Sequence, residues 1–265
     1  QVQLRRFRQP MNRINHIFIS HLHGDHVFGL FGLLSTFSLL GRKKDLHLYC
    51  PPLLREILIS HLDYFEQDMQ YKIVYHLNNH KVSSLIYEDK KLTVTTIPLK
   101  HRIPCVGFIF REKEKDRNIR KEMIAAYNIG VADIVKIKKG QDFETDKGVV
   151  IANKDLTTSP SKPLSYAFCT DTRYSKSFSP LLEGVDLLYY ETTFLQNEEK
   201  LAKETYHSTS KQAAEIARES NVAKLIIGHF SSRYRNMDIF VKEAREVFPN
   251  THPANDGDCF VIGGK

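Results

Sequence analysis

Three observations predict a layered α/β fold for this chain of 265 residues. Short β-type runs alternate with helix-length segments, these runs cluster in both halves, and several of them stop at a His, Asp or Glu. With 42% hydrophobic content the chain can bury a sizeable core, and a single domain over residues 1–265 is expected.

Residues 2–7 are helix or strand, because Arg5, Arg6 and Arg8 interrupt any clean period. Ile17-Phe18-Ile19 is a strand that runs straight into Ser20-His21-Leu22-His23-Gly24-Asp25-His26. Residues 30–40 are apolar on nearly every face and closed by Gly41, so they form a helix expected to be buried on more than one side, in the core or at a dimer face. Residues 46–50 are a strand, and Pro51-Pro52 opens a helix to about Ser60. Further strands are expected at 73–77, 82–87, 91–98 and 106–111. Residues 112–140 are charged, with a short helix at 120–127. A Ser/Pro loop at 159–163 then leads to a strand at 166–169, which ends at Thr170-Asp171. Residues 187–190 form a strand ending at Glu191. Residues 210–219 form a helix with Ser210 as its cap, and 225–227 form a buried strand ending at Gly228-His229. The chain holds no internal repeat.

The H-x-H-x-D-H run after the first strand reads as half of a two-metal site, since neutral imidazoles and a carboxylate are the ligand set zinc prefers. Gly24 would permit the tight bend. His101, Asp171 and His229 sit where other strands end, the usual place for ligands in open sheets. Taken singly, His101 or His229 is equally a structural histidine, and Asp171 a turn residue or cap. Taken together with the run, seven ligand-type residues are too many for one tetrahedral ion, and two metal ions per chain are expected.

No apolar run approaches the ~18 residues needed to span a bilayer, and nothing at the start resembles a signal peptide, so a membrane partner is not expected. Cys50, Cys105, Cys169 and Cys259 form no C-x-x-C pair, which argues against a disulfide framework and for a reduced, cytoplasmic setting. Net charge is +7, and from Lys100 to Gly140 eleven Lys and Arg stand against five acids. A polyanionic partner is favoured.

Residues 13–30, with Gly32-Leu33-Leu34 after them, resemble the tRNase Z (ribonuclease Z) family of the metallo-β-lactamase superfamily, the endonucleases that mature tRNA 3′ ends. The likeness extends over most of the chain: Leu99-Lys100-His101-Arg102-Ile103-Pro104, Cys169-Thr170-Asp171-Thr172-Arg173 and Gly228-His229-Phe230-Ser231-Ser232-Arg233-Tyr234 resemble later family motifs. The resemblance implies an αββα sandwich, with the family's N-terminal strands missing from before Gln1. It implies one zinc on His21, His23 and His101, a second on Asp25, His26 and His229, and Asp171 between them. The implied reaction is attack of a metal-activated hydroxide on the phosphodiester that joins the 3′ trailer to precursor tRNA, leaving a tRNA 3′-hydroxyl.

Within that resemblance Asp25 can also accept the water's proton. His207, in Tyr206-His207-Ser208-Thr209, matches the position that protonates the departing ribose oxygen, oriented by a carboxylate for which Glu191 is the candidate. Where the family often reads His-Glu-Ala-Thr, this chain has Tyr190-Glu191-Thr192-Thr193, keeping the Glu and losing the His. Arg233 and Arg235, just beyond His229, suit phosphate contacts, and Ser231 adds a hydrogen bond. The family's arm between its third and fourth motifs corresponds to a basic insertion at about 111–140. It ends in Lys136, Lys138 and Lys139 but lacks the usual Pro and most of the glycines. The resemblance also implies a homodimer in which one subunit's arm presents tRNA to the other's site. The alternative is a binuclear metallohydrolase of a small phosphodiester or sulfate ester.

Overall fold

The structure is a computed structural model that describes residues 1–65 and 69–263. The chain divides into two compact units, one of Gln1–Glu88, Thr93–Arg111 and Leu164–Lys265, the other of Asp89–Leu92 and Glu112–Pro163. In the first unit β1 (His16–Phe18), β2 (Leu46–Cys50) and β3 (Ile73–Leu77) form a parallel sheet. A second, seven-stranded sheet contains β4 (Leu85–Glu88), β5 (Leu92–Pro98) and β6 (Val106–Glu112), and then four strands from the C-terminal half.

Side chains on alternate residues of each strand explain how two sheets and two helical layers share one sequence. Ile17 of β1 and Ile19 just beyond it, and Leu46, Leu48 and Cys50 of β2, pack with helix α2 (Gly24–Leu39) and helix α3 (Pro52–Phe65), which follow the short helix α1 (Val2–Arg6). The intervening residues point the other way. Phe18 stacks on Tyr49 with centroids 4.4 Å apart and meets Phe108 and Phe110 of β6 at 5.5 and 5.4 Å, so the two sheets face each other across an aromatic layer. Burial on both faces is the normal condition of parallel strands.

α2 begins six residues before the expected start at Leu30, so Asp25 and His26 stand in its first turn. Gly24 is not in the left-handed region; instead a Cβ there would lie 2.3 Å from the Phe28 ring. The helix buries Val27, Leu30, Leu34, Thr36 and Phe37, half-buries Phe31 and Leu33 against the same core, and leaves Phe28 and Leu39 exposed at 75% and 87%. Most of the helix is thus at least half-buried, with Phe28 and Leu39 left exposed in the single chain.

The second unit holds β7 (Asn118–Ile119), α4 (Lys121–Ala126), α5 (Val131–Lys138), the hairpin β8 (Phe143–Glu144) and β9 (Val150–Ile151), α6 (Asn153–Leu156) and β10 (Thr157–Thr158). β10 pairs antiparallel with β7. Ile129, Ile137 and Leu156 form its buried centre, with Ile119, Met123, Ile134 and Phe143 packed around it. Asn153 fastens the unit, its side-chain amide donating to the carbonyls of Ile137 and Gln141 at 2.6 and 2.8 Å. The charged stretch thus folds around an apolar seed that recurs every three to four residues along α5.

In the first unit the seven-stranded sheet is completed by β11 (Ser165–Cys169), β12 (Leu187–Glu191), β13 (Leu225–Gly228) and β14 (Thr251–Pro253), mutually parallel, with β11 antiparallel to β6. Helices α7 (Glu199–Thr205), α8 (Ser210–Glu219) and α9 (Asp238–Arg245) belong to the same half. Ala213, Ala214, Ile216 and Ala217 of α8, with Phe240 and Val241 of α9, cover Ala167, Leu188, Leu225 and Ile227 of the sheet. α8 is capped by Thr209, not Ser210. Thr209 accepts from the Gln212 amide while the Gln212 side chain accepts from the Thr209 amide, and Ser210 turns to Glu243 instead. Among the described residues no helix is long and apolar enough to cross a membrane.

Candidate metal centre

Every predicted ligand lies in the first unit, at or just beyond the end of a strand or at the start of α2. His21 and His23 leave β1 in extended chain, and Asp25 and His26 follow one turn on. His101 follows β5, Asp171 lies two residues past β11 and His229 one residue past β13. Parallel pairing of β11, β12 and β13 brings those last ends to one edge. His229 itself takes a left-handed backbone (φ 60°), and Gly228 before it lies so near Tyr189 that a Cβ would sit 2.8 Å from its hydroxyl.

The ligand atoms fall into two groups. His21, His23, His101 and Asp171 offer atoms that all lie within 4.8 Å of one another, and so do Asp25, His26 and His229. Asp171 faces both. Its Oδ2 is 3.5 Å from His21 Nε2 and 3.7 Å from His101 Nε2, whereas its Oδ1 is 3.4 Å from His26 Nε2 and 3.4 Å from His229 Nε2. Asp25 Oδ2 is 3.4 Å from His26 Nε2 and 3.9 Å from His229 Nε2. Convergent ring nitrogens and carboxylate oxygens at these separations fit divalent metal ions, whose bonds of roughly 2 Å to each atom would fill the spaces between them.

Electrostatics favour the same use. Burial holds the His21 ring below the ordinary histidine range and pushes His101 down to about 4, so both present neutral lone pairs near pH 7. Asp171 is 3% exposed. Burial alone would raise its pKa, but hydrogen bonds from His21 and His26 and the charges of His229 and His26 hold it far below the carboxylate range. For His26, burial opposes the charged ring, yet the hydrogen bond and charge of Asp171 outweigh it and the pKa rises.

The outer nitrogens of the ligands are also engaged. His21 Nδ1 lies 3.0 Å from the Ser20 hydroxyl and 3.6 Å from the Cys105 thiol. His101 Nδ1 meets the Tyr206 carbonyl at 3.0 Å, an arrangement set by Tyr206, a left-handed cap on α7 (φ 61°) whose ring lies under the Arg173 guanidinium. Thr170 Oγ1 donates to Asp171 Oδ1 at 2.9 Å. None of these four supporting residues stands out in the sequence, apart from the adjacency of Ser20 to His21 and of Thr170 to Asp171.

His207 and Glu191, predicted as a pair, are brought together: His207 Nδ1 is 2.9 Å from Glu191 Oε1, with His207 packed against the rings of His101 and His229. Glu191 is fully buried and accepts the backbone amides of Thr172, Thr193 and Ser208. Burial opposes a charged His207, but the hydrogen bond and charge of Glu191 prevail and raise its pKa. Tyr190 replaces the expected family histidine and points away, into the helix-covered core.

Arg233 is exposed and stacks over Phe194 at 5.1 Å, and Phe194 in turn meets the His207 ring at 6.3 Å. Ser231 is tied to the same region by its backbone amide, which donates to the Thr193 carbonyl at 3.2 Å. Lys136, Lys138 and Lys139 lie in the second unit at the end of α5, Lys136 paired with Asp133 at 2.8 Å. Two other residues of the basic stretch are elsewhere. Lys100 and Arg102, with Lys81 and Arg173, line a cavity of about 490 Å³ that also borders His101 and, among the described residues, has no carboxylate in its lining.

The chain is also similar to known proteins. Residues 1–119 match the model of the β-lactamase superfamily domain. A protein named ribonuclease Z from Bacteroides fragilis is 49% identical over 262 residues, covering 99% of this chain and 86% of that protein. Its namesake from Bacteroides thetaiotaomicron is 47% identical, covering 99% and 83%. Among solved structures, the short form of human tRNase Z superposes with a TM-score of 0.67 at 23% identity, covering 99% of this chain and 84% of that one.

Proposed function

Because the chain belongs to the ribonuclease Z family, we propose that it is a metal-dependent endoribonuclease that removes the 3′ trailer from precursor tRNA, working with two zinc ions per chain. The observation that carries this reading is the single carboxylate, Asp171, whose two oxygens each face a separate group of imidazoles. Divalent ions held on these groups would supply the positive charge that activates a water for attack and offsets charge gathering on the phosphoryl oxygens.

The chain's own residues do the remainder. His21, His23 and His101 bind on one side of Asp171, and Asp25, His26 and His229 bind on the other. Asp25, the most exposed of the set at 67%, faces the open side of the site and takes a proton from the attacking water. His207 carries a proton on the nitrogen away from Glu191 and gives it to the departing ribose 3′-oxygen. The hydrogen bond and negative charge of Glu191 raise the His207 pKa and so favour that proton. Phosphates flanking the cut lie along the cations beside His101, with Arg233 and Ser231 at the His207 side. The second unit, through Lys136, Lys138 and Lys139 on α5, grips the tRNA body, and the enzyme acts in the cytoplasm as a homodimer.

The cation-lined cavity favours RNA over a small phosphodiester or sulfate ester, because one small ester has no flanking phosphates to occupy it. The test is incubation with a precursor tRNA of defined trailer and, separately, with a p-nitrophenyl diester. One cut after the discriminator nucleotide, leaving a 3′-hydroxyl, is expected. Hydrolysis of the diester with the precursor left intact would move the assignment to the small-molecule hydrolase.

A further inference from the structure

We infer that Thr193 is a positioning residue through which one buried carboxylate, Glu191, which holds His207 directly, also orients His229; the inference rests on the reading of His229 as a metal ligand. Its hydroxyl lies 2.8 Å from Glu191 Oε2, 2.8 Å from His229 Nδ1 and 3.1 Å from His207 Nδ1. A hydroxyl has one proton to give and two lone pairs, and a carboxylate can only accept. The Thr193 proton therefore goes to Glu191 Oε2.

That assignment fixes the next one. With its proton committed, Thr193 Oγ1 can only accept from His229, so His229 carries its hydrogen on Nδ1. The bare nitrogen is then Nε2, the atom that faces Asp171 Oδ1 at 3.4 Å and Asp25 Oδ2 at 3.9 Å. The other oxygen of the same carboxylate accepts from His207 Nδ1 at 2.9 Å and leaves His207 Nε2 toward the site. Glu191 thus sets the tautomer of the proton donor directly and that of a ligand through one hydroxyl. Partners of this kind orient metal-bound histidines in many sites, and removing one typically weakens metal affinity about 10–100-fold.

The backbone holds the relay in register. Glu191 is paired with Gly228 across β12 and β13, and Thr192 donates both its amide and its hydroxyl to the Gly228 carbonyl, at 2.8 and 3.1 Å. Thr193 is then fastened to Glu191 a second time by its own amide, at 3.0 Å to Oε2. It is buried, so no bulk water competes for its hydroxyl.

Thr193→Val keeps the branch and volume and removes only the hydroxyl, whereas Thr193→Ser keeps the hydroxyl. Zinc is titrated into both variants and the parent protein against a competing chelator, with thermal melting of the metal-free forms as a check on folding. The parent protein is expected to take two equivalents. Thr193→Val should bind one of them about 10–100-fold more weakly, and Thr193→Ser should bind both as the parent does. Unchanged affinity in Thr193→Val, or an equal loss in Thr193→Ser, would overturn the relay. Fewer than two equivalents on the parent protein would instead count against the two-zinc reading. Nitrogen NMR of labelled histidines in the metal-free parent protein reads the tautomer without any substitution: His229 protonated at Nδ1 supports the relay, and protonation at Nε2 refutes it.

Discussion

Asp171 and His207 make the residue-scale argument because each has geometry that only one role uses fully. Asp171 spends both oxygens on imidazole nitrogens from both ligand groups, 3.4 to 3.7 Å away. Asp171→Asn keeps the shape but places a donor where an acceptor is needed, so zinc affinity should fall for both equivalents together in a chelator titration. A loss confined to one equivalent would show that Asp171 serves one group only. His207 is held by Glu191, and in the proposed role it matters only when the leaving group needs a proton. His207→Ala should slow precursor tRNA cleavage by about 10²–10⁴-fold, yet barely change hydrolysis of a p-nitrophenyl diester, whose phenolate leaves unaided. Equal losses on the two substrates would refute the acid role.

At the scale of elements, the proposed grip on substrate falls to α5, apart from the chemistry. Its last turn presents Lys136 and Lys138, with Lys139 as its cap, in a unit that contains none of the seven ligands. Each phosphate contact releases counterions and adds about 0.7–0.9 to the slope of log affinity against log salt. Replacing all three lysines with Ala should raise the apparent KM for precursor tRNA and flatten its salt dependence, while turnover of the small diester stays unchanged. An unaltered salt slope would reduce the unit to a solvated insertion. The cavity lined by Lys81, Lys100, Arg102 and Arg173 supplies cations of its own beside His101, so residual salt dependence in the triple variant is expected.

For the molecule as a whole, the metal centre is also a joint. Its ligands come from the end of β1, the start of α2 and the ends of β5, β11 and β13, so both sheets contribute to it. Ions that bind only the folded chain stabilise it by mass action, by about 2.7 kcal/mol at a free concentration 100 times Kd. Chelation should therefore lower the melting temperature, and added zinc should restore it in a concentration-dependent way, measured by calorimetry. A melting temperature indifferent to chelator would mean that the ligand groups do not bind metal in the folded protein.

The sequence by itself determined what depends on neighbours along the chain. H-x-H-x-D-H is legible because its four side chains lie within six residues, and β2, β3 and α8 are legible because their apolar periods are local. His207 and Glu191, sixteen residues apart, were paired through resemblance to a family, and the structure sets them at 2.9 Å. Only the tertiary structure decided the rest, including that Lys81 and Arg173 join Lys100 and Arg102 around one cavity. α2 starts at Gly24, six residues before the apolar run that marks it in the sequence, so that Asp25 and His26 stand in its first turn. Lys100 and Arg102 belong beside His101 and Lys136 belongs on α5, although all three fall in one basic stretch. Thr193 meets His229 across 36 residues, and Tyr206 meets His101 across 105. Contacts of that span are set by strand register, here Glu191 opposite Gly228, and by the left-handed turns at Tyr206 and His229. Hydrogen-bond distance is reached only after the sheets have formed, so no local pattern in the chain encodes it.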